Sequence, residues 1–88
     1  MKLRVWWIPQ VPCEAFYVYV KSVTEGVNVM NILAEYDAFQ FENKIKPDYA
    51  NAGGLHVLDE DGEWVDWWDE ETATDDPYEY VEEKSNGR

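Results

Sequence analysis

The sequence predicts an α+β fold, in which an antiparallel sheet of two strand pairs, in β-β-α-β-β order, carries one amphipathic helix on one face. Two pairs of β-favouring segments and a helix-start signal between them support this fold. The 88 residues suffice for one domain, expected over residues 1–71. Residues 72–88 are expected to form an acidic C-terminal tail, with a short helix near residues 77–83.

The first strand pair is predicted from alternation and β propensity. Residues 2–8 alternate so that Leu3, Val5 and Trp7 share one face, as in a half-buried strand. A proline-containing segment then ends the strand, because proline lacks the N–H that a sheet needs. The run of Phe, Tyr and Val at residues 16–20 predicts an antiparallel return strand.

The central helix is predicted from its first turn. Residues 22–25 read Ser-Val-Thr-Glu and match a capping box, so a helix is expected to begin at Val23. Apolar residues at spacings of three and four continue to about Tyr36 and indicate one buried stripe. Asp37 resembles a fresh helix cap, so residues 38–44 are expected to be a second helical turn or a continuation.

The second strand pair is predicted around a turn. Asp61 and Gly62 lie between two apolar segments and favour the type I′ turn of a two-residue hairpin. This turn would pair Leu58 with Val65 and place Trp64 on the opposite face of the sheet. The breaker-rich segment before this hairpin, residues 46–54, is expected to be a loop.

Charge is distributed unevenly along the chain. From Asp59 to Glu83 there are thirteen acidic residues and no Lys or Arg, in a chain of formal net charge −12. Such one-sided charge opposes compaction through self-repulsion, so it suggests either a surface for a basic partner or simple solubilisation. It disfavours direct binding of nucleic acid or anionic lipid, because phosphate contacts need Lys or Arg.

An acidic, Trp-containing surface is the first candidate site. Carboxylates held on a hairpin could imitate the phosphates of a nucleic acid and occupy a basic host or phage protein. The alternatives are a solvated acidic face, or calcium binding, for which the regular loop with a glutamate at its twelfth position is missing. The candidate partner-binding residues are Asp59, Asp61, Glu63, Trp64, Asp66 and Asp69.

A small-molecule site is the second candidate. Basic side chains, a glycine-containing backbone and a stacking tryptophan could together sequester a nucleotide messenger. The candidate ligand-binding residues are Lys44, Lys46, Asn51, Gly53, Gly54 and Trp67. Tryptophans left exposed on the second hairpin would also suit a homodimer.

Several classes of protein are not expected. Cys13 is the sole cysteine, which excludes an internal disulfide and fits a reducing cytoplasm. No secretory signal and no membrane-spanning segment are predicted. His56 alone is a weak metal ligand, and the Asp66 and Asp69 carboxylates lack a nucleophile beside them, so we expect neither a metal, a cofactor nor an enzyme.

Three stretches of the sequence carry a family resemblance. They are residues 1–12 (MKLRVWWIPQVP), 34–40 (AEYDAFQ) and 45–55 (IKPDYANAGGL). Together they resemble small phage and prophage proteins labelled superinfection exclusion proteins, over about residues 1–68. The resemblance implies a role in competition between phages or between phage and host, and it assigns no catalytic or binding residue.

Overall fold

The computed structural model of the protein describes residues 2–46 and 50–86. The predicted α+β fold and its β-β-α-β-β order are confirmed, and a second helix follows. The elements are β1 Leu3–Ile8, β2 Phe16–Val20, α1 Val23–Glu42, β3 Ala52–Leu58, β4 Trp64–Asp66 and α2 Pro77–Asn86. The predicted loop at 46–54 includes residues 47–49, which lie outside the described part of the chain.

The four strands form one antiparallel sheet in the order β2-β1-β3-β4. Helix α1 covers one face, onto which the alternation of β1 directs Leu3, Val5 and Trp7, as expected. The buried core is completed by side chains from the other strands, α1 and the segment after β4. These are Val20, Val23, Val27, Met30, Leu55 and Trp67.

Two glycines make room for tryptophan rings across the β1–β3 ladder. Trp7 pairs with Gly53 and Trp6 with Gly54, so the two rings lie over glycines on opposite faces of the sheet. A side chain at either glycine would overlap its partner ring. The expectation of a loop at these positions is therefore wrong, because this ring packing draws both glycines into β3.

Helix α1 begins as predicted, and of the two alternatives predicted after Asp37 it adopts the continuation. The Ser22 hydroxyl accepts a hydrogen bond from the Glu25 N–H at 3.1 Å. The helix then continues through Asp37 to Glu42 without a second cap. Asp37 is only 2% exposed, so its carboxylate faces the protein interior rather than a helix end.

Polar side chains surround Asp37 and satisfy its buried charge. Its Oδ2 accepts hydrogen bonds from Trp7 Nε1 and from Asn51 Nδ2, both at 2.8 Å. The Lys46 ammonium lies 3.2 Å from Oδ1 and also donates to the carbonyl of Pro9. This network ties the end of α1 to the end of β1 and to the segment before β3.

The β3–β4 turn differs from the predicted one by one residue. Leu58 pairs with Trp64, and the Asp59 N–H donates to the Glu63 carbonyl at 2.8 Å, which leaves a three-residue loop over 60–62. Gly62 in this loop adopts a φ of 82°. A three-residue loop with a left-handed glycine is the common alternative to a type I′ turn. The shift of one residue reverses the faces, so Trp64 lies on the same face as His56, contrary to the prediction.

Helix α2 confirms the short helix expected in the acidic tail and extends it to Asn86. The Asp76 carboxylate caps it by accepting a hydrogen bond from the Tyr78 N–H at 3.0 Å. Tyr80 and Val81 pack against the core, and Tyr80 makes an edge contact with Trp67. The terminal segment is thus docked through Tyr80 and Val81, and Tyr78 is 43% exposed.

Candidate interaction surface

The sheet face opposite α1 carries aromatic and basic side chains. Two tyrosines of β2 contribute large exposed rings, since Tyr17 is 42% exposed and Tyr19 is 67% exposed. Their neighbours on this face come from β1, β3 and β4. We define the open face as Arg4, Trp6, Tyr17, Tyr19, His56 and Trp64.

Arg4 lies at the centre of the open face. Its Cζ is 3.8 Å from the ring centroid of Tyr17 and 4.4 Å from that of Trp64. Its Nε donates a hydrogen bond of 3.1 Å to Nδ1 of His56. Stacking on two rings fixes the plane of a guanidinium and adds cation–π attraction. Arg4 therefore holds the aromatic side chains of the outer strands together across the sheet.

His56 is held on this face as a neutral ring. Its pKa is lowered from 6.5 by partial burial and by the charge of Arg4, and the Asp66 carboxylate 3.8 Å from Nε2 acts in the opposite direction. Because Nδ1 accepts from Arg4, we assign the ring proton to Nε2, toward Asp66. The ring also stacks with Trp6 at 5.9 Å between centroids.

The tip of the β3–β4 hairpin is organised by one carboxylate. Asp59 Oδ1 accepts hydrogen bonds from the N–H groups of Asp61 and Glu63, both at 2.9 Å. Asp61 and Glu63 are themselves exposed. The turn therefore presents two carboxylates on a backbone that is already ordered by a third.

The remaining predicted acidic residues lie beyond the tip. The Asp66 side chain is 90% exposed at the edge of the open face. The Asp69 carboxylate is used within the protein, because its Oδ2 accepts hydrogen bonds from the N–H and the hydroxyl of Thr72. These hydrogen bonds from Thr72 lower the pKa of Asp69. The acidic hairpin surface is defined as Asp59, Asp61, Glu63, Trp64 and Asp66.

The residues of the predicted small-molecule site are not all brought together. Lys46 and Asn51 contact the buried Asp37, and Lys44 is exposed near the end of α1. Gly53 and Gly54 line a cavity of about 350 Å³ beside the part of β3 that has no pairing with β4. Trp67 lines the same cavity but is largely buried in the core. The cavity wall also carries the carboxylates of Asp66, Asp75 and Asp76.

Sequence reasoning missed the tyrosines and the arginine as site residues. The spacing of Tyr17 and Tyr19 places both on one face of β2, and Arg4 lies opposite the core side of β1. This alternation was a usable signal, since a strand with one buried face directs every second side chain to the other. The assignment of a site to these residues needed the sheet order, which brings β2 and β4 to either side of Arg4.

The described residues provide neither a metal-ligand cluster nor a membrane-spanning helix. Among residues 2–46 and 50–86, no group of three His, Cys, Asp or Glu side chains is placed to hold a metal ion. No helix in the same ranges is long and apolar enough to cross a membrane.

Comparisons with known proteins agree with the resemblance seen in the sequence. The family model described as "Superinfection exclusion gene product 17" matches residues 2–86. A curated relative, the "Superinfection exclusion protein" of Salmonella phage P22, is 53% identical over an alignment 94 positions long. That alignment covers 93% of this chain and 91% of the relative. No solved structure matches significantly.

Proposed function

The chain belongs to the superinfection exclusion gene product 17 family, and on this basis we propose that it acts in superinfection exclusion by binding a basic protein through the acidic hairpin surface. The target is a factor of the host or of a competing phage. The chain acts without catalysis, in the cytoplasm of the host bacterium. The exposed carboxylates on an ordered hairpin carry this proposal.

The backbone of the hairpin tip is already ordered, which supports binding of a basic partner at the acidic hairpin surface. Asp59 already fixes the backbone N–H groups of Asp61 and Glu63 before any partner arrives. Less chain entropy is then lost on binding, which favours affinity. The formal net charge of −12 also attracts a basic partner over a distance and speeds the encounter.

Trp64 supplies an apolar anchor beside these charges. Its ring lies 5.9 Å from that of Tyr19 and faces the Arg4 guanidinium. Tryptophan and tyrosine contribute strongly to protein interfaces when they become buried there. The surface thus combines carboxylates for a basic partner with an aromatic group that can be covered on binding.

Nucleic-acid mimicry is the proposed form of this binding. Lys and Arg side chains that normally contact phosphates would instead contact the carboxylates of Asp61, Glu63 and Asp66. The chain would then occupy the nucleic-acid site of its target. Direct binding of a nucleic acid by the acidic hairpin is opposed by like charge.

Two alternatives use other features of the molecule. The cavity beside Gly53 and Gly54 favours sequestration of a nucleotide messenger, although Asp75 and Asp76 would repel its phosphates. The exposed ring of Trp68, at 54%, favours a homodimer. Light scattering over a range of protein concentrations distinguishes the homodimer, because its mass would fall on dilution.

The partner proposal predicts a position-specific effect of charge reversal. The double variant Asp61→Lys/Glu63→Lys should bind the partner at least about tenfold more weakly, because it removes charge-assisted contacts. Glu82→Lys/Glu83→Lys is the matched control, since it makes the same change of net charge at exposed positions of α2. Partners are captured from bacterial lysate, identified by mass spectrometry, and titrated calorimetrically against both variants.

The control determines how the result is read. A retained partner should be released by salt, because exposed charge contacts are screened. Both variants should keep the melting temperature of the unaltered chain, since none of the four carboxylates has a hydrogen bond or ion pair with any residue that the structure describes. Equal loss of binding in both variants would reject a site at the hairpin and indicate a net-charge effect only.

A further inference from the structure

A second cavity opens at the end of the sheet where β1 begins and β2 ends. It has a volume of about 660 Å³, and its walls include Lys2, Tyr19, Lys21, Leu58 and Trp64. The proposed binding of a basic partner does not use this cavity, and membership of the family does not assign it a role. Its size lies within the range of roughly 300 to 1,000 Å³ that is usual for small-molecule sites.

Two aromatic rings form one wall of this cavity. Tyr19 and Trp64 lie 5.9 Å apart between centroids, with an angle of 53° between their planes. Tyr19 is 67% exposed, so its ring has few protein contacts of its own. Leu58 adds an apolar side chain between β1 and Trp64. This wall suits a planar ring, because flat aromatic groups stack on indole and phenol faces.

Two basic side chains also line this cavity. The pairing of Leu3 with Val20 brings Lys2 beside Lys21, and both lysines are exposed. Arg4 follows along β1 under the ring of Trp64. The cavity therefore places two of the seven basic residues of the chain, Lys2 and Lys21, next to two aromatic rings.

The two lysines of this cavity have no carboxylate partner among the residues that the structure describes. The lysine salt bridges in that part of the chain join Lys46 to Asp37 and Lys84 to Glu71. Glu25, the acid nearest in sequence to Lys21, accepts from the backbone N–H of that residue. In a chain with nineteen acidic residues, an unpaired basic group is complementary to an external anion.

We propose that this cavity binds a phosphorylated nucleoside, with its base against Tyr19 and Trp64 and its phosphate beside Lys2 and Lys21. A single nucleotide fits better than a nucleic-acid strand, because the net charge of −12 opposes a long polyanion. The site shares Trp64 with the acidic hairpin surface, but its phosphate contacts use none of the hairpin carboxylates, so variants of those carboxylates distinguish the two roles.

Calorimetric titration of the full chain with the four ribonucleoside 5′-monophosphates tests this proposal. At least one should bind, and about tenfold or more tightly than its nucleoside or ribose 5-phosphate, because each of these lacks one half of the recognised ligand. Absence of heat with all four at millimolar concentration would overturn the proposal. Binding of a single-stranded oligonucleotide in place of any monophosphate would overturn it as well.

Variants locate the ligand. Lys2→Met/Lys21→Met should weaken nucleotide binding at least about tenfold and leave binding of the nucleoside unchanged. Lys44→Met/Lys84→Met is the matched control and should bind the nucleotide as the unaltered chain does. If nucleotide binding is lost in this control but kept in Lys2→Met/Lys21→Met, the ligand lies elsewhere and the proposal is overturned. Asp61→Lys/Glu63→Lys should retain nucleotide binding, which separates this site from the partner-binding surface.

Discussion

Replacement of Asp37 by Ala is expected to lower the free energy of unfolding by about 3 to 5 kcal/mol. The variant leaves the Lys46 ammonium buried without its counter-ion, and it leaves Trp7 Nε1 and Asn51 Nδ2 without their acceptor. Urea denaturation of the two proteins measures the difference. Asp66→Ala is the control, because that side chain is 90% exposed and its loss should cost at most about 0.5 kcal/mol.

A second variant separates the unpaired charge from the lost contacts. Removing both charges in Asp37→Leu/Lys46→Met should restore much of the stability, since apolar replacement of a buried ion pair is often neutral. A cost below about 1 kcal/mol for Asp37→Ala would contradict the described network. It would mean that water or another anionic group compensates the Lys46 ammonium once the carboxylate is gone.

The same carboxylate should make the protein sensitive to acid. Burial raises the pKa of Asp37, but hydrogen bonds from Asn51, Trp7 and Lys46, with the Lys46 charge, outweigh it and hold the pKa below its usual value of 3.8. A lowered folded-state pKa gives stability that is present above 3.8 and is lost as the pH falls through the folded value. Asp37→Asn should lose this part of the acid dependence.

Replacement of Gly53 by Ala should be the second large effect, with a cost of about 3 kcal/mol or more. A methyl group there would overlap the six-membered ring of Trp7, which is only 7% exposed and bonded to Asp37. The ring would have to move, and that movement would weaken its hydrogen bond to the carboxylate. Thermal and urea unfolding measure the loss.

A Trp7→Leu background is the control for Gly53→Ala, because it removes the ring that the added methyl group would overlap. In a Trp7→Leu background, the ring is absent and the added methyl group should cost much less. The double-mutant cycle should therefore show a coupling energy of about 1 to 3 kcal/mol. Additive costs would show that the ring does not restrict position 53.

Local signals were sufficient for the first half of the fold. The alternation at β1 and the capping box at Ser22 act over a few residues, so the sequence alone predicted both correctly. The β3–β4 register could not be predicted in the same way. Asp61 and Gly62 suit both a two-residue and a three-residue loop. In the three-residue loop that the structure adopts, Trp67 is buried in the core.

Long-range partners explain the other differences. Asp37 has the local sequence of a helix cap, but its buried position depends on Trp7, thirty residues earlier in the chain. Gly53 and Gly54 likewise resemble loop residues until the two tryptophans of β1 are placed over them. The hairpin acids of the candidate surface were visible in the sequence as a charge pattern, whereas the open face around Arg4 needed the sheet order.

Phage plating on bacteria that express the chain tests whether the acidic hairpin surface performs exclusion. The unaltered chain and Glu82→Lys/Glu83→Lys should both reduce plaque formation by a superinfecting phage. Asp61→Lys/Glu63→Lys, at the same cellular level by immunoblot, should restore plaque formation. Full exclusion by Asp61→Lys/Glu63→Lys would contradict the claim that the acidic hairpin surface performs exclusion.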